Sequence, residues 1–223
     1  TNTVTINING TVVPNLDPEA EDKNIELECG EQNIVNVSFV VDVSSSMSAM
    51  DILLTEKAIA KIIAKYEALA TEVNINIVQT WGGSNTAYQG VTQTGWTNSS
   101  VTIDLLEQKG YTDYDQGLKS VVDSYPAPNA GKDVVFVFSD GNVTSDYYAE
   151  FNSYLPTWKN FISDNDVEVR GIAVNTTRFI QSLEDVSNGI AQVSADQLND
   201  FDSILVEIEN GMSAPVNGPK SVE

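Results

Sequence analysis

Apolar residues along the chain form two kinds of pattern, which predict strands separated by helices. Short apolar runs bounded by turn residues are typical of buried strands, whereas apolar residues at every third or fourth position are typical of helices with one buried face. The first pattern predicts strands at 34–42, 73–78, 86–97, 134–138, 167–174 and 190–193. The second pattern predicts helices at 50–69, 101–108, 113–125, 146–164, 180–186 and 195–209. Pro156 predicts a kink or break in the fourth helix.

The alternation of strands and helices predicts an α/β fold. We expect a doubly wound (Rossmann-like), mostly parallel six-stranded sheet with helices on both faces. The run 86–97 is expected to supply one short antiparallel edge strand. This main domain is predicted to span residues 33–210.

The ends of the chain differ from this pattern. Apolar residues alternate with polar ones around the turn signal Asn9-Gly10, which predicts a hairpin, and residues 25–28 suggest another short strand. Residues 1–32 are therefore expected to form a β-rich extension or the end of a preceding module. Residues 211–223 contain two prolines and are predicted to be a linker, so we interpret the chain as a segment of a longer protein.

Composition excludes several functional classes. The chain carries 32 acidic and 11 basic residues, a net charge of −21, so nucleic acid is not an expected partner. Such a balance favours divalent cations and cationic partners. The chain has no histidine, which excludes catalysis by imidazole and zinc sites built on imidazole. Its single cysteine excludes an intrachain disulfide. No apolar run has the length of a membrane span.

Two predicted strands end in aspartate, at Asp42 and at Asp140. The carboxyl ends of parallel strands meet at one edge of a sheet, where ligands bind in open α/β folds. Ser44 and Ser46 follow the first aspartate, and Thr112 adds a third hydroxyl at the start of a helix. Oxygen ligands with two negative charges suit Mg²⁺, Ca²⁺ or Mn²⁺ and leave a coordination position for water or for a carboxylate of another molecule.

Other acidic residues leave alternatives open. Asp113 and Asp115 would either favour calcium at this site or cap the helix that begins there. The acidic stretch 15–23 is interpreted as a solvated loop, with an additional calcium site as the alternative.

Serine-rich turns also cap helices, and a strand that ends in aspartate also occurs in phosphohydrolases of the haloacid dehalogenase type. A metal-dependent phosphohydrolase is therefore an alternative function. That chemistry normally requires a second aspartate where this chain has Ser44, and no nucleophile with a partner base is evident. We expect the protein not to be an enzyme.

The metal-binding pattern resembles the metal-ion-dependent adhesion site (MIDAS) of von Willebrand factor A-type domains, over about residues 33–210. The resemblance implies that the hydroxyl groups ligate the metal directly and that the carboxylates hold the metal or its waters. The residues that match the family pattern are Asp42, Ser44, Ser46, Thr112 and Asp140.

The segment 110–118 is similar to the version found in large bacterial repeats-in-toxin (RTX) adhesins, which are exported by type I secretion. That resemblance implies a monomeric module in a long bacterial cell-surface protein. Its ligand would be a protein offering an acidic residue, or a host or cell-surface component. The alternative is a calcium-stabilised spacer with no ligand of its own. Aromatic and polar side chains are expected to line a recognition rim: Trp81, Tyr111, Asp113, Tyr114 and Asn142, with Trp96, Tyr147 and Tyr148 as further candidates.

Overall fold

The computed structural model describes residues 7–8, 11–12, 34–83, 90–97, 103–105, 109–126, 132–176, 180–187, 189–193 and 206. The chain divides into two compact units, 1–31 and 32–223. In the first unit, β1 (Asn7–Ile8) pairs with β2 (Thr11–Val12) in antiparallel fashion, as the predicted hairpin requires. Three of the sequence predictions lie outside the described residues, namely those for 15–23, 25–28 and 211–223.

A six-stranded sheet forms the second unit. Its strands are β3 (Ile34–Asp42), β4 (Glu72–Trp81), β5 (Gly90–Gln93), β6 (Lys132–Ser139), β7 (Glu168–Val174) and β8 (Gly189–Val193). They lie in the order β5-β4-β3-β6-β7-β8, with β5 antiparallel to β4 and every other pair parallel. The predicted α/β class, with a mostly parallel sheet and one antiparallel edge strand, is confirmed.

Helices cover both faces of this sheet. They are α1 (Ala49–Leu69), α2 (Asp115–Ser124), α3 (Tyr148–Asn165) and α4 (Gln181–Val186), with a 3₁₀ turn at Ser145–Tyr147. Helix α1 packs on one face, and α2, α3 and α4 pack on the other. None of the helices that the structure describes is both long enough and apolar enough to cross a membrane.

The central strand β3 positions the functional edge. Alternate residues point to opposite faces of a strand. Phe39 therefore packs towards α1 and stacks on Phe136 of β6 with ring centroids 5.5 Å apart, whereas Val40 packs under α2. Strand β3 has β4 on one side and β6 on the other, so the chain reverses its direction across the sheet there. That switch point is where open α/β sheets bind ligands.

Helix α1 begins at a capping box that the sequence analysis did not single out. The Ser48 side chain accepts a hydrogen bond from the Asp51 backbone N–H, and the Asp51 carboxylate accepts one from the Ser48 backbone N–H. Two of the unpaired donors at the helix start are satisfied in this way. The start of α1 is therefore fixed immediately after the predicted ligand loop.

Two of the helix predictions need correction. The described part of 101–108, residues 103–105, is irregular, because side chains bind its backbone: Leu105 N donates to Glu56 Oε1 at 2.9 Å, and Gln79 Nε2 donates to Asp104 O at 3.1 Å. Helix α3 runs without a break through Pro156. Of the predicted helix 195–209, only Val206 is described, and it is helical.

Candidate metal centre

The carboxyl ends of β3 and β6 bring together the five side chains that the sequence predicted to be ligands. Asp42 is the last residue of β3, and Asp140 follows β6 directly, so the parallel pairing of these strands places both carboxylates at one edge. Ser44 and Ser46 lie in the loop between β3 and α1, and Thr112 lies just before α2. Three segments that are distant in sequence thus converge on one place.

The five groups form a continuous hydrogen-bonded chain. Ser44 Oγ lies 3.0 Å from Ser46 Oγ and 3.1 Å from Thr112 Oγ1. Ser46 Oγ donates to Asp140 Oδ1 at 3.0 Å, and Ser44 N donates to Asp42 Oδ1 at 2.8 Å. All of these side chains therefore present oxygen to the same small volume.

The site is a cup with a buried floor and an open side. Asp42, Ser44 and Thr112 form the floor, with exposed fractions of 0%, 1% and 6%. Ser46 is exposed and Asp140 is partly exposed on the other side. A group bound on the floor would therefore remain accessible to a molecule that approaches past these two residues.

Burial makes the two carboxylates costly to charge. Desolvation raises the pKa of Asp42 to about 6; hydrogen bonds from Ser139 and Ser44 oppose the rise, and the charge of Asp140 adds to it. Desolvation also raises the pKa of Asp140, against the hydrogen bond from Ser46 and with a contribution from the charge of Asp51. Two close carboxylates in such a site would be stabilised by a cation.

Three residues that the sequence analysis missed hold this arrangement in place. Ser139 Oγ donates to Asp42 Oδ2 at 2.6 Å. Thr144 clamps the backbone of Thr112, since Thr144 N donates to Thr112 O at 2.9 Å and Thr144 Oγ1 accepts from Thr112 N at 3.2 Å. Asn175 Nδ2 donates to Asp51 Oδ1, which ties the end of β7 to the start of α1. Only Ser139 had a sequence signal, because it directly precedes Asp140.

The serine loop is also tied to the segment that carries Thr112. Ser45 N donates to Gly110 O at 3.0 Å, and Lys109 N donates to Val43 O at 2.7 Å. Gly110 has φ of +46°, a conformation that side-chain-bearing residues rarely adopt, and a Cβ built there would lie 1.7 Å from Gly82 O. A glycine is therefore required where the two loops meet.

Gly110→Ala is expected to lower the free energy of unfolding by about 2–4 kcal/mol, because it combines positive φ with a backbone clash. Gly95→Ala is a matched control: Gly95 has φ of +72°, but a Cβ there meets no atom within 4 Å, so a loss of about 1 kcal/mol is expected. Urea denaturation of both variants measures the difference. Equal losses would contradict a clash at Gly110.

The predicted recognition rim needs correction. Asp113, Tyr114 and Tyr147 are fully buried, so none of them can line a rim. Tyr114 turns inward because α2 begins after it, and its hydroxyl donates to Gly141 O. Tyr111 and Tyr148 are 44% and 38% exposed and remain available to a ligand.

The remaining rim candidates are partly buried. Trp81 packs against the core on the α1 side, and Lys109 Nζ lies 4.9 Å from the centroid of its ring. Asn142 Oδ1 accepts a hydrogen bond from Ser182 N at 3.0 Å, so its side chain fixes α4. Trp96 lies edge-to-face against Tyr125, with ring centroids 5.4 Å apart.

Asp113 acts as a cap in this structure. Its Oδ1 accepts a hydrogen bond from Asp115 N at 3.2 Å, and Asp115 lies in the first turn of α2. This contact satisfies one of the unpaired donors at the helix start. The helix-start alternative therefore has a direct structural basis for Asp113, which precedes the N-cap residue Tyr114, while Asp115 lies in the first turn of α2.

The donor set fits a hard divalent cation. Within the described residues, no three histidine, cysteine, aspartate or glutamate side chains form a cluster that could hold a metal. The hydroxyl groups of Ser44, Ser46 and Thr112 would therefore have to complete the ligand set that Asp42 and Asp140 begin. Neutral and carboxylate oxygens together are the ligands that Mg²⁺, Mn²⁺ and Ca²⁺ take.

A comparison with protein-family models matches residues 36–210 to the von Willebrand factor type A domain. The chain belongs to this family. The matched region includes all five residues of the cup and the whole six-stranded sheet except the first two residues of β3. No curated protein sequence gives a significant match.

Solved structures share the von Willebrand factor type A fold. The pilus adhesin SpaC from Lactobacillus rhamnosus GG matches at 12% identity with a TM-score of 0.58, over 81% of this chain and 30% of the adhesin. Proximal thread matrix protein 1 from the mussel byssus, with a zinc-occupied MIDAS motif, matches at 17% identity with a TM-score of 0.59, over 80% of this chain and 46% of that protein. BatB from Bacteroides thetaiotaomicron matches at 12% identity with a TM-score of 0.59, over 81% of this chain and 100% of the BatB chain. This chain thus spans less than half the length of the adhesin and the byssus protein.

Proposed function

We propose that this domain is an extracellular adhesion module that binds a partner's carboxylate through a divalent cation held by Asp42, Ser44, Ser46, Thr112 and Asp140. The observation that carries the proposal is the cup itself: five oxygen-bearing residues linked one to the next by hydrogen bonds, open to solvent on one side. When bound, the cation would supply positive charge to the cup and an exchangeable position for an anionic oxygen.

The spacing of the hydroxyl groups suits each of the three hard cations. Neighbouring oxygens in an octahedron with metal–oxygen distances of about 2.1 Å lie about 3.0 Å apart, and a seven-coordinate Ca²⁺ with distances of about 2.4 Å brings its equatorial oxygens to about 2.8 Å. Ser44 Oγ lies 3.0 Å from Ser46 Oγ and 3.1 Å from Thr112 Oγ1. We therefore propose a site for Mg²⁺, Mn²⁺ or Ca²⁺, and the titration with all three cations described below ranks them.

The environment of Asp42 supports binding rather than catalysis. Its carboxylate is fully buried and accepts hydrogen bonds from Ser44 N and Ser139 Oγ. A carboxylate held in this way lacks the free, accessible oxygen that a nucleophile needs. We therefore propose a binding module and not a phosphohydrolase.

The setting of the module is also part of the proposal. The likeness to a pilus adhesin and a byssus matrix protein supports a secreted or surface protein. We propose a module of a large bacterial adhesin, of which RTX adhesins are the class suggested by the segment 110–118. The exposed Ser46 and the partly exposed Asp140 support a ligand-binding role over a spacer role.

Asp140→Ala is expected to abolish both metal binding and the binding of carboxylate ligands, because it removes one of the two charges of the cup. Calorimetric titration with MgCl₂, MnCl₂ and CaCl₂ measures metal binding. Binding of carboxylate ligands is measured with immobilised peptides that contain aspartate or glutamate, with and without EDTA. Asp146→Ala is the matched control, since Asp146 is an exposed acid on the same loop.

The outcomes separate the three functions. Metal binding and EDTA-sensitive peptide binding in the wild type and in Asp146→Ala, but not in Asp140→Ala, support the adhesion module. Metal binding without binding of any acidic peptide supports the spacer. Peptide binding that persists in EDTA contradicts a metal-mediated contact, and turnover of a phosphatase substrate supports the hydrolase.

A further inference from the structure

The half of the sheet far from the metal centre carries buried polar side chains on the face that α2 and α3 cover. They follow the period of two on three neighbouring strands, and the strand register places them side by side. On the same strands and face, the residues in the middle of the strands are apolar, as at Val40, Val78 and Val135. The polar residues, called the polar floor below, are the buried Asn36, Ser38, Asn76 and Asp133 and the partly buried Asn74.

One side of the polar floor is satisfied and the other is not. Asn36 Nδ2 donates to Asp133 Oδ1 at 2.8 Å, and Asn74 Nδ2 donates to Asn36 Oδ1 at 3.0 Å. Ser38 and Asn76 are fully buried neighbours on β3 and β4. Within the part of the chain that the structure describes, Ser38 Oγ and both polar atoms of the Asn76 amide have no hydrogen-bond partner.

Two aromatic side chains, Trp96 and Tyr125, lie on the same face of the sheet as the polar floor. Thr97 pairs with Ile75 in an antiparallel bridge, so the alternation of side chains puts Trp96 on the same face as Asn76. Trp96 packs edge-to-face on Tyr125. The Tyr125 hydroxyl faces Asp133: burial raises the pKa of Tyr125, and the charge of the Asp133 carboxyl and a side-chain hydrogen bond to it add to the rise. The strand register and the ring packing thus place Trp96 and Tyr125 beside the polar floor.

Trp96 also has a buried polar atom without a partner, Nε1. Together with the three atoms of Ser38 and Asn76, this makes four such atoms on neighbouring side chains of one face of the sheet. A buried polar group without a hydrogen bond costs about 1–3 kcal/mol, and native proteins leave few of them. The concentration of four on one face of the sheet therefore indicates an occupant.

The mixture of donors and acceptors defines the chemistry of that occupant. Trp96 Nε1 and Asn76 Nδ2 only donate, Asn76 Oδ1 only accepts, and Ser38 Oγ does both. A cation would leave the two N–H donors unpaired. An anion would leave Asn76 Oδ1 unpaired and would lie near the carboxyl of Asp133. A small neutral molecule that both donates and accepts satisfies all of them.

We propose that ordered water molecules bind between the polar floor and the two aromatic residues, bridging Asn76, Ser38 and Trp96. A buried water makes about three hydrogen bonds, so about two waters satisfy the four atoms. The waters complete the hydrogen bonding of β3 and β4 where aliphatic side chains would otherwise be expected. This site is separate from the metal centre and does not depend on a cation.

Asn76→Leu tests the proposal because the sign of its effect differs between a hydrated and a dry site. If the amide is unpartnered and dry, an apolar side chain of similar volume leaves stability unchanged or raises it. If water bridges the amide to Ser38 and Trp96, the substitution leaves the water, Ser38 and Trp96 without these hydrogen bonds. The melting temperature of the full chain then falls by about 3 °C or more.

Thr55→Val is the matched control. The Thr55 hydroxyl is also buried without a partner, but it lies on α1 at the opposite face of the sheet. Its replacement is expected to leave the melting temperature unchanged or to raise it. A fall of the same size as that of Asn76→Leu would show that the loss at Asn76 does not report bound water, and would overturn the proposal.

A high-resolution crystal structure of the wild type, grown with MnCl₂, gives the second readout and does not depend on a variant. Electron density for water within hydrogen-bonding distance of Asn76 and Ser38, together with a lower melting temperature for Asn76→Leu, supports the proposal. A dry contact between Asn76 and Trp96, an anomalous peak at the polar floor, or an undiminished melting temperature of Asn76→Leu overturns it.

Discussion

Replacing Asp42 with asparagine is expected to stabilise the metal-free protein at neutral pH. Burial raises the pKa of Asp42 to about 6, from the ordinary aspartate value of 3.8. A charged carboxylate at pH 7 therefore costs the folded state up to about 3 kcal/mol. The asparagine fits the same contacts, because its Oδ1 can accept from Ser44 N while its Nδ2 donates to Ser139 Oγ, whose proton then goes to Gly141 O. The melting temperature should rise by about 5 °C or more.

The same substitution is expected to weaken metal binding by about 100-fold or more, since it removes one of two negative charges in a site shielded from water. The metal-induced rise in melting temperature should disappear with it. Calorimetry with MnCl₂ and thermal unfolding with and without EDTA measure both effects on one sample. The melting temperature of the metal-free protein should rise while the affinity for metal falls. This combination is diagnostic, because a variant that misfolds would lose both stability and affinity.

Asp146→Asn is the control for the loss of one negative charge near the same edge. It should change neither the affinity nor the melting temperature by much, because Asp146 is exposed. If Asp42→Asn binds Mn²⁺ as the wild type does, Asp42 does not contribute to the metal site. If its metal-free form is less stable than the wild type, burial of the charge is not the dominant cost at this position.

That the five residues of the cup come together could be predicted from the sequence because strand ends determine their positions. A run of apolar residues that stops at Asp42, and another that stops just before Asp140, already places two carboxylates at one edge. The hydroxyl groups of Ser44 and Ser46 come shortly after the end of β3, and that of Thr112 comes just before the start of α2. Each prediction needed only a local pattern and the general rule that parallel strands share an edge.

The residues that hold the ligands could not be predicted in this way. Thr144 clamps the backbone of Thr112 across 32 positions of sequence, and Asn175 reaches Asp51 across 124. Neither contact has a sequence pattern, because both depend on how separate loops meet. Tyr114 shows the same difficulty, since the start of α2 decides whether its ring points outward or into the core.

The polar floor was missed because strand β3 reads as a buried apolar run. Burial of every residue from Val35 to Asp42 agrees with that reading, yet Asn36 and Ser38 are among them. Because successive side chains of a strand point to opposite faces, odd and even positions must be considered separately. Only then does β3 show one apolar face and one face with polar residues. The mixed face is also the one that ends in Asp42, so polar side chains lie near both ends of the strand.

The affinity of the cup for metal is expected to rise with pH and then to level off above about pH 6. Protons compete with the cation for the carboxylates, and the pKa of Asp42, about 6, and the raised pKa of Asp140 extend that competition into the weakly acidic range. Affinity should increase by up to about tenfold per pH unit for each proton released. Calorimetry with MnCl₂ between about pH 5 and about pH 7.5 measures the slope.

The stability of the metal-free protein should change in the opposite direction. Because the folded-state pKa of Asp42 lies above its unfolded value, the folded protein holds more protons than the unfolded chain in this range. The contribution of Asp42 to stability is therefore fully present below about pH 4 and is lost as the pH rises through about 6. In Asp42→Asn, this part of the pH dependence should vanish and the slope of metal affinity should flatten. An affinity that does not vary between about pH 5 and about pH 7 would mean that both carboxylates titrate at ordinary values, and that burial at this edge imposes no cost for a cation to relieve.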